Sequence, residues 1–307
     1  MKISVVVPTY RRPDSLNRCL EGLRQQARSA DEVLVVTQDG DDESLRLAEL
    51  WSQWPVLKVL RQSGGGAVGQ YNLGLQSSRG DVIAITDDDS VPRPDWLLRI
   101  ERWLIENEDL GGIGGRDIVH QNGVPVPGNA RLVGVVQWFG RIVHNHHLGT
   151  RVASDIDILK GVNMSFRASA VGDLRFDRDL RGEGAQVCLD MAFSLAVQKR
   201  KWRLLFDPEV IVDHFPARRF DPDQREAPSV QAIENSSYNL FLTVRRHMRR
   251  GWRRKMALGW AYWVGIERTP GLIRGLLSLL RGDKAGIAMR AAARRAWSAA
   301  KHDCAEA

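Results

Sequence analysis

The chain reads as an α/β protein with a mixed, mainly parallel sheet flanked by helices, followed by a C-terminal helical extension. Three observations predict this class. Short runs rich in Val and Ile alternate with helical patterns through the first half of the chain, the rhythm of strands joined by crossover helices. The opening run from Ile3 to Val7 is unbroken, as a strand covered on both faces should be. Beyond Pro228 the β pattern stops and everything reads helical.

After the first strand, Pro13 and Asp14 open a helix that gathers Leu16, Cys19, Leu20 and Leu23 on one face, since proline suits a first helical turn. Glu32 to Thr37 predicts the next strand, and Leu45, Ala48 and Trp51 mark the helix after it. Val56 to Leu60 and Val82 to Thr86 predict two further strands, the second halting at Asp87-Asp88-Asp89. A helix begins near Pro94 and continues through Arg99 to Glu106. Gly111 to Ile158, rich in Gly, Val and His, predicts only short strands and loops. Ala185 to Lys199 predicts a helix, and Trp202 to Phe206 and Val210 to Val212 two strands. The change of pattern divides the chain into a body at 1–225 and a basic amphipathic helical tail at 226–307.

At 307 residues, with 43% hydrophobic and 26% charged residues, the chain can bury a substantial core. Cys19, Cys188 and Cys304 are odd in number and far apart, which predicts reduced thiols and an intracellular setting. Met1 to Pro8 lacks a signal-peptide pattern, and no run reaches the roughly 18 apolar residues of a transmembrane helix. The net charge of +7 is uneven. Arg245 to Lys301 carries fifteen Lys or Arg against Glu267 and Asp283, a local +13 that leaves −6 for the rest. An acidic body with a basic tail predicts two jobs.

The chemistry centres on Asp87-Asp88-Asp89. Adjacent carboxylates raise one another's pKa, so something positive should compensate them. While the chain is extended, Asp87 and Asp89 point to one side and Asp88 to the other. Such a pair suits a divalent cation holding a diphosphate, because hard cations combine one or two carboxylates with phosphate oxygens. The end of a strand is also where open α/β sheets bind ligands. Two other stretches are weaker. His144-Asn145-His146-His147 lacks metal-site spacing and predicts a polar loop or a lining role. Gly64-Gly65-Gly66 is not followed by Gly-Lys-Ser/Thr, so it predicts a flexible nucleotide-side loop and no Walker loop.

Six segments in order resemble a family 2 glycosyltransferase of the nucleotide-diphospho-sugar transferase (GT-A) fold, over roughly residues 2 to 216. Val5-Val6-Val7-Pro8-Thr9-Tyr10-Arg11-Arg12 is similar to the family's opening strand and turn. Asp39-Gly40, Asn72-Leu73-Gly74, Asp87-Asp88-Asp89, Gly161 to Arg167, and Asp207-Pro208 with Val212-Asp213-His214 follow. The resemblance implies that Pro8, Thr9, Tyr10, Arg12, Asp39, Asn72, Asp87 and Asp88 bind the nucleotide-diphospho-sugar donor. It implies a divalent Mn or Mg ion on Asp89 and His214, with Gly161 and Asn163 near sugar and acceptor.

Two positions depart from the family pattern. Tyr71 stands where an Arg is usual, and the adjacent Glu-Asp that supplies the base reads Leu189-Asp190 here. Counting back from Trp202 makes Asp190 the expected base, with Glu183 as the alternative. The implied activity is inverting, metal-dependent transfer of a sugar to an acceptor hydroxyl, in cell-surface polysaccharide or glycolipid assembly. One positioned carboxylate suffices as general base. A sugar-nucleotide pyrophosphorylase and a catalytically degenerate nucleotide-binding scaffold are the alternatives. For the tail, Leu240, Phe241, Val244, Met248 and Trp252 recur at helical steps among arginines. That predicts peripheral attachment to an anionic membrane on its cytoplasmic face, beside a lipid-linked acceptor and without nucleic-acid binding.

Overall fold

The computed structural model describes residues 1–150, 152–184, 186–217, 228–266 and 268–304. Strands β1 (Ile3–Pro8), β2 (Glu32–Gln38), β3 (Leu57–Gln62) and β4 (Val82–Ile85) are joined by helices α1 (Pro13–Arg24), α2 (Asp42–Leu50) and α3 (Gly66–Ser77). Next come β5 (Ser90–Pro92), α4 (Trp96–Glu106) and β6 (Leu110–Gln121). Short strands β7 (Val124–Pro125), β8 (Val135–Val136), β9 (Ile142–Val143) and β10 (Ser154–Asp155) lead to β11 (Met164–Arg167) and α5 (Ala168–Val171). After α6 (Leu189–Lys199) and β12 (Arg203–His214), the C-terminal part contains α7 (Val230–Arg246), α8 (Trp252–Trp263), the small pair β13 (Gly265–Ile266) and β14 (Thr269–Pro270), α9 (Leu272–Leu280) and α10 (Lys284–Asp303).

The main sheet has the order β10-β12-β6-β11-β4-β1-β2-β3. The β1, β2, β3 and β4 neighbours are parallel, as are β6 and β12, whereas β11 runs antiparallel to both β4 and β6. Alternation along the strands feeds two cores. Val5, Val7, Val33, Val35 and Ala84 face α1 and α4, through Leu16, Leu20, Trp96 and Ile100. Val6, Leu34, Val36, Ile83 and Ile85 face the opposite layer, where Val68, Tyr71 and Leu75 of α3 meet Phe193 of α6. Gly74 lets α3 lie close on β1, because a Cβ there would meet Val6 Cγ1 at 2.3 Å.

Four elements differ from the sequence reading. The unassigned middle contains the twelve-residue β6. The glycine stretch opens α3, with Gly65 in the left-handed conformation at its N-cap. The two predicted closing strands are one, β12, whose pairing with β6 shifts register between Asp207 and Val212. The fourth concerns the tail. The boundary expected at 225/226 lies outside the described residues, but α7 belongs to the same core as the sheet. Leu240, Phe241, Val244 and Met248, expected on a membrane-facing stripe, are buried in it. Among the described residues no helix is long and apolar enough to cross a membrane.

Candidate active site

Parallel pairing of β1 with β4 brings the turn after Pro8 beside the aspartate triplet. Thr9 Oγ1 donates to Asp88 Oδ2 at 2.8 Å. Arg12 Nη1 lies 2.8 Å from Asp88 Oδ1 and 3.5 Å from Asp89 Oδ2. The expected compensating cation is therefore Arg12. The chain leaves extended geometry after Ile85 and turns at Asp88 and Asp89, yet after burial Asp89 is still the charge that acts most on the Asp87 carboxyl, helping to push it up. Asp88 and Asp89 share Arg12, while Asp87 Oδ1 accepts from the Tyr71 hydroxyl at 2.8 Å. Burial pushes the Asp88 carboxyl up to about 7, since Arg12 only partly offsets repulsion from Asp89 and Asp87. Burial also works against the charge of Asp89, yet His214, Arg12 and the Ala217 N–H outweigh it and hold that carboxyl at about 2.

Antiparallel pairing of β5 with β12 sets Ser90 opposite His214 and so carries the histidine to Asp89. His214 Nε2 is 3.4 Å from Asp89 Oδ1, and Nδ1 is 3.5 Å from Asp117 Oδ2. These are ion-pair separations; neither buried ring nitrogen makes a hydrogen bond. Lys160 Nζ closes the row with an ion pair to Asp117. Burial alone would lower the His214 pKa, but Asp117 and Asp89 lift it to about 9. Asp117, buried as well, is held at about 2 by Lys160 and His214.

Across the triplet, Asp190 sits in the first turn of α6 and its Oδ2 accepts from Gly161 N at 3.2 Å. A Cβ on Gly161 would lie 3.6 Å from the Tyr71 hydroxyl. Tyr71 thus stands between Asp87 and the Gly161–Asp190 contact. Burial, then the charges of Asp87 and Asp190, push its phenol well above the usual value, so it stays a donor.

A family description, Glycosyl transferase family 2, matches residues 4–171. The chain belongs to glycosyl transferase family 2. Among curated relatives, the uncharacterized glycosyltransferase YibD of Escherichia coli (strain K12) is 29% identical over 108 residues, 35% of this chain and 31% of YibD. The hyaluronan synthase of Pasteurella multocida is 30% identical over 120 residues, 38% of this chain and 12% of that protein. The matched region thus spans about a third or less of either relative's length. Among solved structures, S. aureus TarS 1–349 in complex with UDP-GlcNAc has a TM-score of 0.63 at 16% identity, covering 99% of this chain and 80% of that one. The mannosyltransferase PcManGT from Pyrobaculum calidifontis, in complex with GDP-Man and Mn²⁺, gives 0.57 at 17%, covering 96% and 86%. This likeness establishes the GT-A fold.

The remaining candidates of this family 2 chain divide between the edge and the interior. Pro8 ends β1 at the site, and Tyr10 lies under the Arg11 guanidinium, 5.0 Å from its ring centre. Asp39 is exposed at the end of β2, 3.9 Å from Arg61, where a base could approach it. Glu183 is exposed in the loop before α6, whereas Asp190 faces Gly161. Asn72 and Asn163 hold the scaffold instead of facing the edge. Asn72 Oδ1 accepts from Phe176 N at 2.8 Å and its Nδ2 donates to Phe176 O at 3.0 Å. Asn163 accepts from Trp96 Nε1 at 2.9 Å and donates to Val210 O at 2.8 Å. The side-chain amides of both asparagines are thus bonded within the fold. In the histidine stretch, His146 is a core residue whose Nε2 donates to Ile158 O at 2.8 Å.

Sequence reasoning missed Asp117 and Lys160. Asp117 is a lone acid in an otherwise apolar run, Ile113 to Val119 with Arg116 beside it, and that signal needed β6 to be recognised first. Among the described residues no group of three or more His, Cys, Asp or Glu side chains is arranged to hold a metal ion. Asp89 and His214 nevertheless fit one as a pair. A buried imidazole nitrogen without a hydrogen bond faces a carboxylate oxygen, and substrate phosphates complete such sites.

Proposed function

We propose that this chain is an inverting, divalent-metal-dependent glycosyltransferase that moves a sugar from a nucleotide-diphosphate donor to an acceptor hydroxyl. It acts in cell-surface polysaccharide or glycolipid assembly, peripherally on the cytoplasmic face of the cell membrane, with a lipid-linked acceptor. The observation that carries the reading is the row Arg12–Asp88/Asp89–His214 at the carboxyl edge, with the imidazole nitrogens left without hydrogen bonds. Neighbours of the same fold were solved with UDP-GlcNAc and with GDP-Man plus Mn²⁺, which supports a nucleotide sugar and a divalent cation.

Asp89 and His214 would hold the metal, which would neutralise charge gained by the leaving diphosphate. Asp39 receives the base, and Tyr71 fixes Asp87 on the donor side. The Asp190 carboxylate takes the acceptor's hydroxyl proton as that oxygen bonds to the anomeric carbon. The bond from that carbon to the diphosphate breaks, its electron pair leaving with the diphosphate. A single displacement from the opposite face inverts the centre, so one base is enough.

The test is a panel of nucleotide sugars assayed for hydrolysis and transfer with Mn²⁺ or chelator. Turnover should require the metal. Asp190→Asn should lower it by roughly 10²–10⁴ with donor binding little changed, and Glu183→Gln should be mild. The reverse order would move the base to Glu183, and full turnover in chelator would remove the metal from the account.

A further inference from the structure

Building on the peripheral-membrane reading, we infer that α9 is the element that enters an anionic lipid surface, lying in its plane. Its polarity is inverted relative to a helix packed on a soluble protein, which turns large apolar groups inward. Apart from the half-buried Leu272, the residues of α9 and its N-cap that face the protein are small. Gly271 and Ser278 are buried, and a Cβ on Gly275 would meet Arg290 Cγ at 2.5 Å. The large ones face out: Ile273 is 51% exposed, Leu276 52%, Leu277 45%, Leu279 61% and Leu280 83%. Single exposed leucines need no explanation, but five on a nine-residue helix do.

The surroundings say what covers them. Arg274, Arg281 and Lys284 are exposed on and just after the helix, three cations against the nearby Asp283, whose charge acts on Arg274, so the collar keeps an excess of positive charge. The Asp283 carboxylate caps α10 by accepting from Gly286 N at 3.0 Å, and it accepts from Ser278 Oγ at 3.2 Å. Trp263, at the end of α8, is 55% exposed, and a tryptophan suits the boundary between headgroups and acyl chains. An apolar ridge with a basic collar is complementary to anionic lipid. Nine residues make about 14 Å of helix, far short of a ~30 Å hydrocarbon core, so the helix lies flat. A second copy of the chain fits less well. Two-fold pairing of this face would set Arg274, Arg281 and Lys284 of one copy against the same cations of the other.

The experiment is flotation of the full chain with vesicles of phosphatidylcholine alone or mixed with phosphatidylglycerol. Wild type should float with the anionic vesicles at low salt and be released at high salt. The double variant Leu276→Asp with Leu280→Asp should lower partitioning by about tenfold or more, with Mn²⁺-dependent donor hydrolysis unchanged. If the double variant floats as wild type does, α9 is not the contact, although the membrane reading survives. Wild type that ignores anionic vesicles overturns both. A wild-type dimer that the double variant turns into monomer, without flotation, makes α9 an interface between copies and overturns the inference.

Discussion

Between Lys160 and His214, Asp117 is wholly buried and its Oδ1 has no hydrogen bond. It touches no exposed edge of the site, so its influence runs through the imidazole it faces. Partners of this kind orient a ligating histidine, and removing one costs about 10–100-fold in metal affinity or activity. Asp117→Asn should therefore raise the Mn²⁺ concentration needed for half-maximal turnover by about that factor. Saturating Mn²⁺ should recover most of the rate, and an unchanged metal requirement would detach Asp117 from His214. A second residue-scale consequence concerns His146. Burial holds its pKa down at about 4, against an ordinary value of 6.5. The folded form resists the proton that the unfolded chain accepts, so stability is full above 6.5 and falls as the pH drops towards 4. Between pH 7.5 and 5 this loss is about 2 kcal/mol. Urea unfolding at the two values should show it in wild type, with a smaller drop in His146→Gln. Equal drops would assign the acid sensitivity elsewhere.

At the scale of elements, α7 does more than begin a tail. Its buried Asn239 accepts from Arg181 N at 2.7 Å and donates to Arg181 O at 2.8 Å and Val187 O at 3.0 Å. These bonds fasten the loop that carries Glu183 and leads into α6. At its C-terminal end, Arg246 and His247 both bind the Asp177 carboxylate. Asn239→Ala leaves three half-buried backbone groups without these partners and should cost about 1–3 kcal/mol. It should also speed proteolytic cutting within 181–188. A stability within error of wild type would mean that the helix does not hold the loop. What the sequence showed of the elements follows from the same physics. β1, β2 and β4 were legible because burial on both faces demands unbroken Val and Ile. β6 was not, since Gly111, Gly112, Gly114 and Gly115 have weak strand preference and are there for close approach. Asp207-Pro208-Glu209 looked like a break in β12, yet a register shift absorbs it. The α7 stripe was periodic as expected. Periodicity names an apolar face without saying what covers it.

For the whole molecule, the site is assembled by topology from segments far apart in sequence: the turn after β1, the triplet after β4, Asp117 on β6, the Lys160–Gly161 turn, Asp190 on α6 and His214 on β12. The triplet stood out as three charges at a strand end, whereas His214 was named only through the family resemblance. Arg12 was also named, but its role as the counter-ion of Asp88 and Asp89 could not be read without the fold. Asn72 and Asn163 were named from motifs, and a motif records that a residue type is needed, not whether ligand or scaffold needs it. The central claim is that this row of side chains binds a nucleoside diphosphate through a divalent cation on Asp89 and His214. Calorimetric titration of UDP and GDP, with and without Mn²⁺, tests it most directly on wild type and Asp89→Asn. At least one nucleotide should bind wild type with Mn²⁺ and lose roughly 10–100-fold in affinity both without the metal and in the variant. Equal affinity in chelator and in Asp89→Asn would contradict the account.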